Sequence, residues 1–125
     1  MDENPLSREV IGAAIEVHRV LGPGLLESAY ERALEQELLL RGFHVERQKP
    51  VSLVYKGIAL GDAFRLDLLV ERKLIVEIKA ADELLSLHES QLLTYLRLSD
   101  LRLGLLVNFN VRILKDGVKR LVNGL

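Results

Sequence analysis

"LDLLVERKLIVEIKA", residues Leu66 to Ala80, decides the fold. It is almost wholly apolar, as a buried strand pair must be. Yet Glu77 and Lys79 stand two residues apart in its second half, and Asp67 opens its first half. Charged groups are expensive to bury unless they are paired or bound to something. With Glu71-Arg72-Lys73 as the tip of a hairpin, Val70 falls opposite Leu74 and Asp67 falls opposite Glu77. Side chains alternate along a strand. Ile75, Glu77 and Lys79 therefore share one face with Asp67. Phe64, Leu66, Leu68 and Val70 are expected on the other face, forming a core with Leu74, Val76 and Ile78. A turn of two or four residues would put the acids on opposite faces, so the arrangement depends on the turn length.

Directly opposed side chains on paired strands lie only about 4.5–5.5 Å apart at Cβ, where like charges destabilise. A divalent cation between the two carboxylates relieves that repulsion, and oxygen donors of this kind suit Mg²⁺, Mn²⁺ or Ca²⁺. Glu-x-Lys on a strand is also the pattern of a cross-strand ion-pair network. The residues by themselves leave both alternatives open.

Composition bounds the rest. A chain of 125 residues, 49% hydrophobic and 28% charged, matches one domain (1–125) with its own core. It contains no cysteine, which excludes a disulfide framework, thiolate zinc sites and a cysteine nucleophile, and fits a reducing, cytoplasmic setting. No apolar run spans a bilayer, so no membrane partner is expected, and the acidic start MDENPLSREV lacks the pattern of a signal peptide. The net charge of −1 hides an asymmetry of −5 over residues 1–40 and +4 over 41–125. The basic half is compatible with a polyanion but lacks the strong basic signature of a typical nucleic-acid binder.

Residues 5–21 read as an amphipathic helix with Asn4 as its cap, broken by Gly22-Pro23-Gly24. A second helix is predicted over 25–41, with Gly42 as its stop. Strands are predicted over 43–48, 51–56, 58–70 and 74–80, a third helix over 84–99, and strands over 103–109 and 111–121. The last is expected to fold into a hairpin at Asp116-Gly117. This order gives an α/β (α+β) sandwich around a mixed sheet.

Two helix faces carry further candidates. Glu27 and Tyr30, three apart on the second helix, share a face, although an acid in a first turn also serves the helix dipole. His88, Gln91 and Tyr95 line one face of the third helix and could point at the charged sheet face or form a solvated polar stripe. Gly22-Pro23-Gly24 follows a helix and so is not a dinucleotide loop, and no serine sits in a nucleophile elbow.

Assembled, these residues resemble a known pattern. "FRLDLLV" followed by "VEIKA" resembles the core of the PD-(D/E)XK nuclease superfamily, at Asp67 and Glu77-Ile78-Lys79. "GLLESAY" (24–30), "HESQLLTYLR" (88–97) and "GLLVNF" (104–109) are similar to the small GxxExxY proteins of that superfamily. No proline precedes Asp67, where the superfamily loosely keeps one. The resemblance implies a restriction-endonuclease-like core, a central mixed sheet flanked by helices. It implies Mg²⁺, with Mn²⁺ as a substitute, ligated by Asp67, Glu77, the Ile78 carbonyl and Glu27. Lys79 and Gln91 would join these acids in catalysis, supported by Tyr30, His88 and Tyr95. The expected reaction is hydrolysis of nucleic-acid phosphodiesters, DNA first. The competing expectations are a nuclease fold that binds nucleic acid or a protein without cutting it, and an enzyme acting on another phosphate ester. The C-terminal strands, with Val111, Ile113 and Val118, offer an edge for a homodimer.

Overall fold

The computed structural model describes residues 1–125. Two helices come first, α1 (Glu3–Leu21) and α2 (Glu27–Leu40). Three strands follow: β1 (Val45–Tyr55), β2 (Ile58–Val70) and β3 (Leu74–Lys79). Helix α3 (Ser86–Ser99), β4 (Leu103–Asn108), a 3₁₀ turn (Leu114–Gly117) and β5 (Val118–Val122) complete the chain. The sheet runs β1-β2-β3-β4-β5 and is antiparallel throughout except for the β3–β4 pair, which is parallel. A parallel neighbour needs a crossover, and α3 supplies it. The result is the mixed sheet flanked by helices that the sequence implied.

Three differences from the sequence reading matter beyond a residue or two at an element's end. Asp2, not Asn4, stands before the first helical residue, and its carbonyl accepts the Leu6 N–H at 3.0 Å. The strands expected over 43–48 and 51–56 are one strand running through Pro50, which pairs with Arg65. β1 is an edge strand, where a missing N–H is tolerated. The segment 111–117 is not a strand. Leu114 is drawn into the core at the start of the 3₁₀ turn, so Asp116-Gly117 makes no tight hairpin and only Val118–Val122 joins the sheet.

Gly42 ends α2 as expected. It adopts φ +87°, and the Phe43 N–H returns to the Leu38 carbonyl at 3.1 Å. A left-handed residue with a bond reaching back past it is the usual glycine stop.

The two faces of the sheet are unequal. One buries Leu68, Val70, Leu74, Val76, Ile78, Leu103, Leu105 and Val107 under α1 and α2. The other holds a smaller cluster, Leu66, Leu69, Ile75 and Leu106 against Leu92 and Leu96 of α3. Leu68 and Leu66 thus lie on opposite faces although they are two apart, and Phe64 follows Leu66 to the α3 side. This corrects the expectation that Phe64 and Leu66 point into the main core. The alternation breaks where β1 pairs Arg47 with Leu68 and Lys49 with Leu66 but leaves Gln48 and Asp67 unpaired. Gln48 there has φ +54°.

Candidate active site

The turn between β2 and β3 has the length that brings the acids together. Val70 pairs with Leu74, and the ladder continues through Leu69–Ile75 to Leu68–Val76. Glu71 and Arg72 both take positive φ, the geometry of a tight hairpin turn. Neither is glycine, so the conformation needs support. The Glu71 N–H donates to the His44 carbonyl at 2.8 Å, and the Glu71 carboxylate accepts the His44 N–H at 2.7 Å.

Beyond Leu68–Val76 the backbone ladder stops and the acids replace it. The Asp67 N–H donates to Glu77 Oε2 at 2.8 Å, and the Ile78 N–H donates to Asp67 Oδ2 at 2.8 Å. Each carboxylate occupies the gap where a strand carbonyl would otherwise sit. Glu77 is only 7% exposed. Burial, and then the charge of Asp67, push its carboxyl from the ordinary 4.5 up to about 8. The two acids are thus held together, Glu77 buried and Asp67 half-buried.

A third acid approaches from α2. Glu31, 7% exposed, accepts from Gln48 Nε2 at 2.7 Å and from Arg47 Nη1 at 3.2 Å. The same Gln48 nitrogen lies 3.3 Å from Asp67 Oδ1, so one amide bridges the acid of α2 to the acid of β2. Burial raises the Glu31 carboxyl above its ordinary range against the lowering effect of those hydrogen bonds, and Asp67 adds to the rise.

On the other side, α3 and the end of β3 enclose an open cleft of about 550 Å³, lined by Lys79, His88, Gln91, Thr94 and Tyr95 among others. Lys79 makes no salt bridge there. Its charge is felt by Glu77, whose carboxyl it lowers. The Tyr95 ring is stacked on Phe64 with centroids 4.2 Å apart. Its hydroxyl is raised by burial and then by the charges of Glu77 and Asp67, which places it within their field. His88 Nδ1 accepts the Leu85 N–H at 3.1 Å, so one ring nitrogen is engaged at the start of α3. Gln91 is exposed on the cleft wall. A second hollow, about 540 Å³ beside Lys49, Leu66 and Leu101, includes none of these groups.

The structure therefore brings Asp67, Glu77 and the Ile78 backbone together, with Lys79, His88, Gln91 and Tyr95 on the adjoining cleft. Glu27 and Tyr30 stand apart from them. Glu27 is exposed as the first residue of α2, with no hydrogen-bond or ion-pair partner, one turn before the buried Glu31. Tyr30 is fully buried and stacked on Phe109. Its hydroxyl donates to the Gly22 carbonyl at 2.6 Å and accepts the Leu25 N–H at 3.0 Å, so it braces the turn between the first two helices. Gly24 in that turn has φ +100°.

Three residues at the site escaped the sequence reading. Glu31 lies four after Glu27 on the same helical face, a spacing that could have signalled it. Gln48 falls where the strand pattern appeared interrupted, and nothing in the periodicity marked it. Asn108, 2% exposed, donates from Nδ2 to the Ala81 carbonyl at 2.9 Å and accepts the Ala81 N–H at 3.1 Å. The Phe109 N–H also holds the Lys79 carbonyl at 2.9 Å, so the end of β4 fixes the backbone that carries Lys79.

A family model for the PD-(D/E)XK nuclease superfamily matches residues 4–121, which takes in every group above. The chain belongs to the PD-(D/E)XK nuclease superfamily. Comparison with curated proteins and with solved structures returns no match. PD-(D/E)XK nucleases generally use divalent metal ions, so membership supports a nuclease-type function and a nucleic-acid substrate. No helix is long and apolar enough to cross a membrane.

The donor set can be tested against such an ion. It consists of oxygens alone, with no thiolate or imidazole among them. No three His, Cys, Asp or Glu side chains cluster closely enough to form a complete cage. Two carboxylates in an otherwise open site fit Mg²⁺, which keeps several waters and takes its other ligands from substrate phosphate.

Proposed function

We propose that this chain, acting as one PD-(D/E)XK domain of the GxxExxY type over residues 1–125, hydrolyses phosphodiester bonds of nucleic acid, DNA in preference, with Mg²⁺ or Mn²⁺ as cofactor. The observation that carries the proposal is the interlocked Asp67–Glu77 pair with an uncommitted Lys79 beside it. Asp67 and Glu77 are the carboxylates that would hold the ion. Ile78 would add its carbonyl. Within a strand a residue's N–H and C=O point to the same neighbour, and the Ile78 N–H already faces Asp67. When bound, the ion supplies charge neutralisation and an activated water.

The protein's own groups do the remainder. Lys79 puts a positive charge at the mouth of the gap, where it orients the attacking water and stabilises negative charge developing on the phosphate. Gln91 and Tyr95 offer hydrogen-bonding groups along the cleft to position the substrate. Glu27, exposed at the start of α2 and apart from the acid pair, would reach the ion only through water or substrate. His88 supports the cleft wall through its bond at the start of α3.

The test is a panel of labelled single-stranded DNA, double-stranded DNA and RNA with Mg²⁺ or Mn²⁺, run beside Asp67→Ala and Lys79→Ala. Cleavage by the parent chain and its loss in both variants is the expected result. Cleavage that survives both substitutions overturns the site. Binding without cleavage under every metal makes the chain a nuclease-fold binding module.

A further inference from the structure

Gln48 is the one strand residue at the site whose backbone conformation is out of keeping with its strand. Its φ of +54° lies in the left-handed region that side chains other than glycine avoid. Strain of this kind persists only where the surroundings over-determine it, and it gathers at functional sites. Here its effect is specific. Neighbouring residues on a strand point to opposite faces, yet Arg47 and Gln48 both reach the Glu31 carboxylate, at 3.2 Å and 2.7 Å. The left-handed residue makes that possible, and it also leaves Asp67 free of a backbone partner on β1. The Gln48 amide then lies 3.3 Å from Asp67 Oδ1 while Ile78 holds Oδ2. Without Gln48, nothing in the structure bonds to Asp67 Oδ1.

We propose that Gln48 is a positioning residue, whose side-chain amide bridges Glu31 and Asp67 and fixes the Asp67 carboxylate in the orientation that accepts a divalent cation. The amide is neutral and turns its donating Nε2 to both carboxylates, so it holds two acids together without adding a third charge. It also ties α2 to the sheet at the point where the metal would bind. This inference rests on the carboxylate site proposed above.

The experiment measures Mn²⁺ affinity by titration calorimetry without nucleic acid, with the metal-free melting midpoint as the check of folding. Gln48→Gly keeps the left-handed backbone without strain and removes the amide. Gln48→Met keeps the side-chain length and removes the donors. Outer partners of metal ligands typically contribute about 10–100-fold to affinity. Both variants are expected to bind Mn²⁺ at least tenfold or so more weakly than the parent, and Gln48→Gly should do so with an unchanged or higher midpoint. A parent and a Gln48→Gly variant that bind equally overturn the positioning role and leave Gln48 as a bend in the strand. If Gln48→Gly does not fold, equal binding by Gln48→Met overturns it in the same way. A parent that binds no Mn²⁺ at millimolar concentration overturns the carboxylate site itself, and this inference with it.

Discussion

The two faces of the sheet divide the sealed core from the candidate site. Under α1 and α2, β3 contributes Leu74, Val76 and Ile78 to a sealed apolar layer. On the α3 side the same strand begins with Ile75 in a small cluster, passes through the buried Glu77 and ends with Lys79 at an open cleft. Three successive outward positions thus pass from grease to a buried acid to a free cation. A strand anchored on one side can tolerate charges on the other. The acids sit where the ladder between β2 and β3 opens, so Glu77 remains hydrogen-bonded although it is buried.

The strongest way to break that division is at Lys79. Lys79→Ala should reduce cleavage by about 10²–10³-fold, the usual loss for one electrostatic stabiliser, while the melting midpoint stays within about 2 °C of the parent by calorimetry. A large fall in midpoint would mean that this face also carries the fold.

The reverse experiment uses the sealed face. Leu105→Ala, fully buried in the main core, should cost about 2–5 kcal/mol in chemical denaturation. Any activity lost should track the unfolded fraction alone.

pH sharpens the comparison at Glu77. Its carboxyl is raised in the fold, so folding favours the protonated form. The stabilisation is fully present below about pH 4.5, declines as pH rises towards about 8 and is absent above that. Metal-free melts across this window should therefore lose up to about 1.4 kcal/mol per pH unit from this group. Glu77→Gln should flatten the slope, and Mg²⁺ added at high pH should recover stability in the parent but not in the variant. An unchanged slope in Glu77→Gln would remove the acid pair as its source.

The smallest effect is expected at Tyr30. Tyr30→Phe removes the hydroxyl that braces Gly22 and Leu25 and should cost about 1–2 kcal/mol in denaturation, with the rate of cleavage per folded molecule preserved. A selective loss of rate would bring the turn between α1 and α2 into the site.

The sequence made the β2–β3 hairpin legible because its evidence is local. A three-residue tip and an apolar run on either side determine which residues face each other, and the carboxylates follow. The cleft face of α3 was legible for a similar reason, since 88, 91 and 95 share one side of any helix. Gln48 was not legible. A single left-handed residue inside a strand leaves no trace in hydrophobic period, and the change of face between Leu68 and Leu66 lies across from it. The identity of the inner acid was also hidden. Glu27 and Glu31 lie on one helical stripe, and only the docking of α2 against Arg47 and Gln48 selects Glu31 for burial. Leu114 shows the same limit, because its capture by the core cancels a strand that the local pattern favours.

The crossover through α3 separates the two halves of the site along the chain. Asp67 and Glu77 are ten residues apart across one turn, so the acid pair can close while the chain is still short. Lys79 gains its fixed backbone only when Asn108 and Phe109 dock beside it, after α3 and β4 have been added. During synthesis the carboxylates would thus meet before the cleft exists. A nascent chain halted before residue 100 would carry the acid pair without the scaffold that makes it selective, and pulsed amide exchange should find Ile78 protected earlier than Phe109.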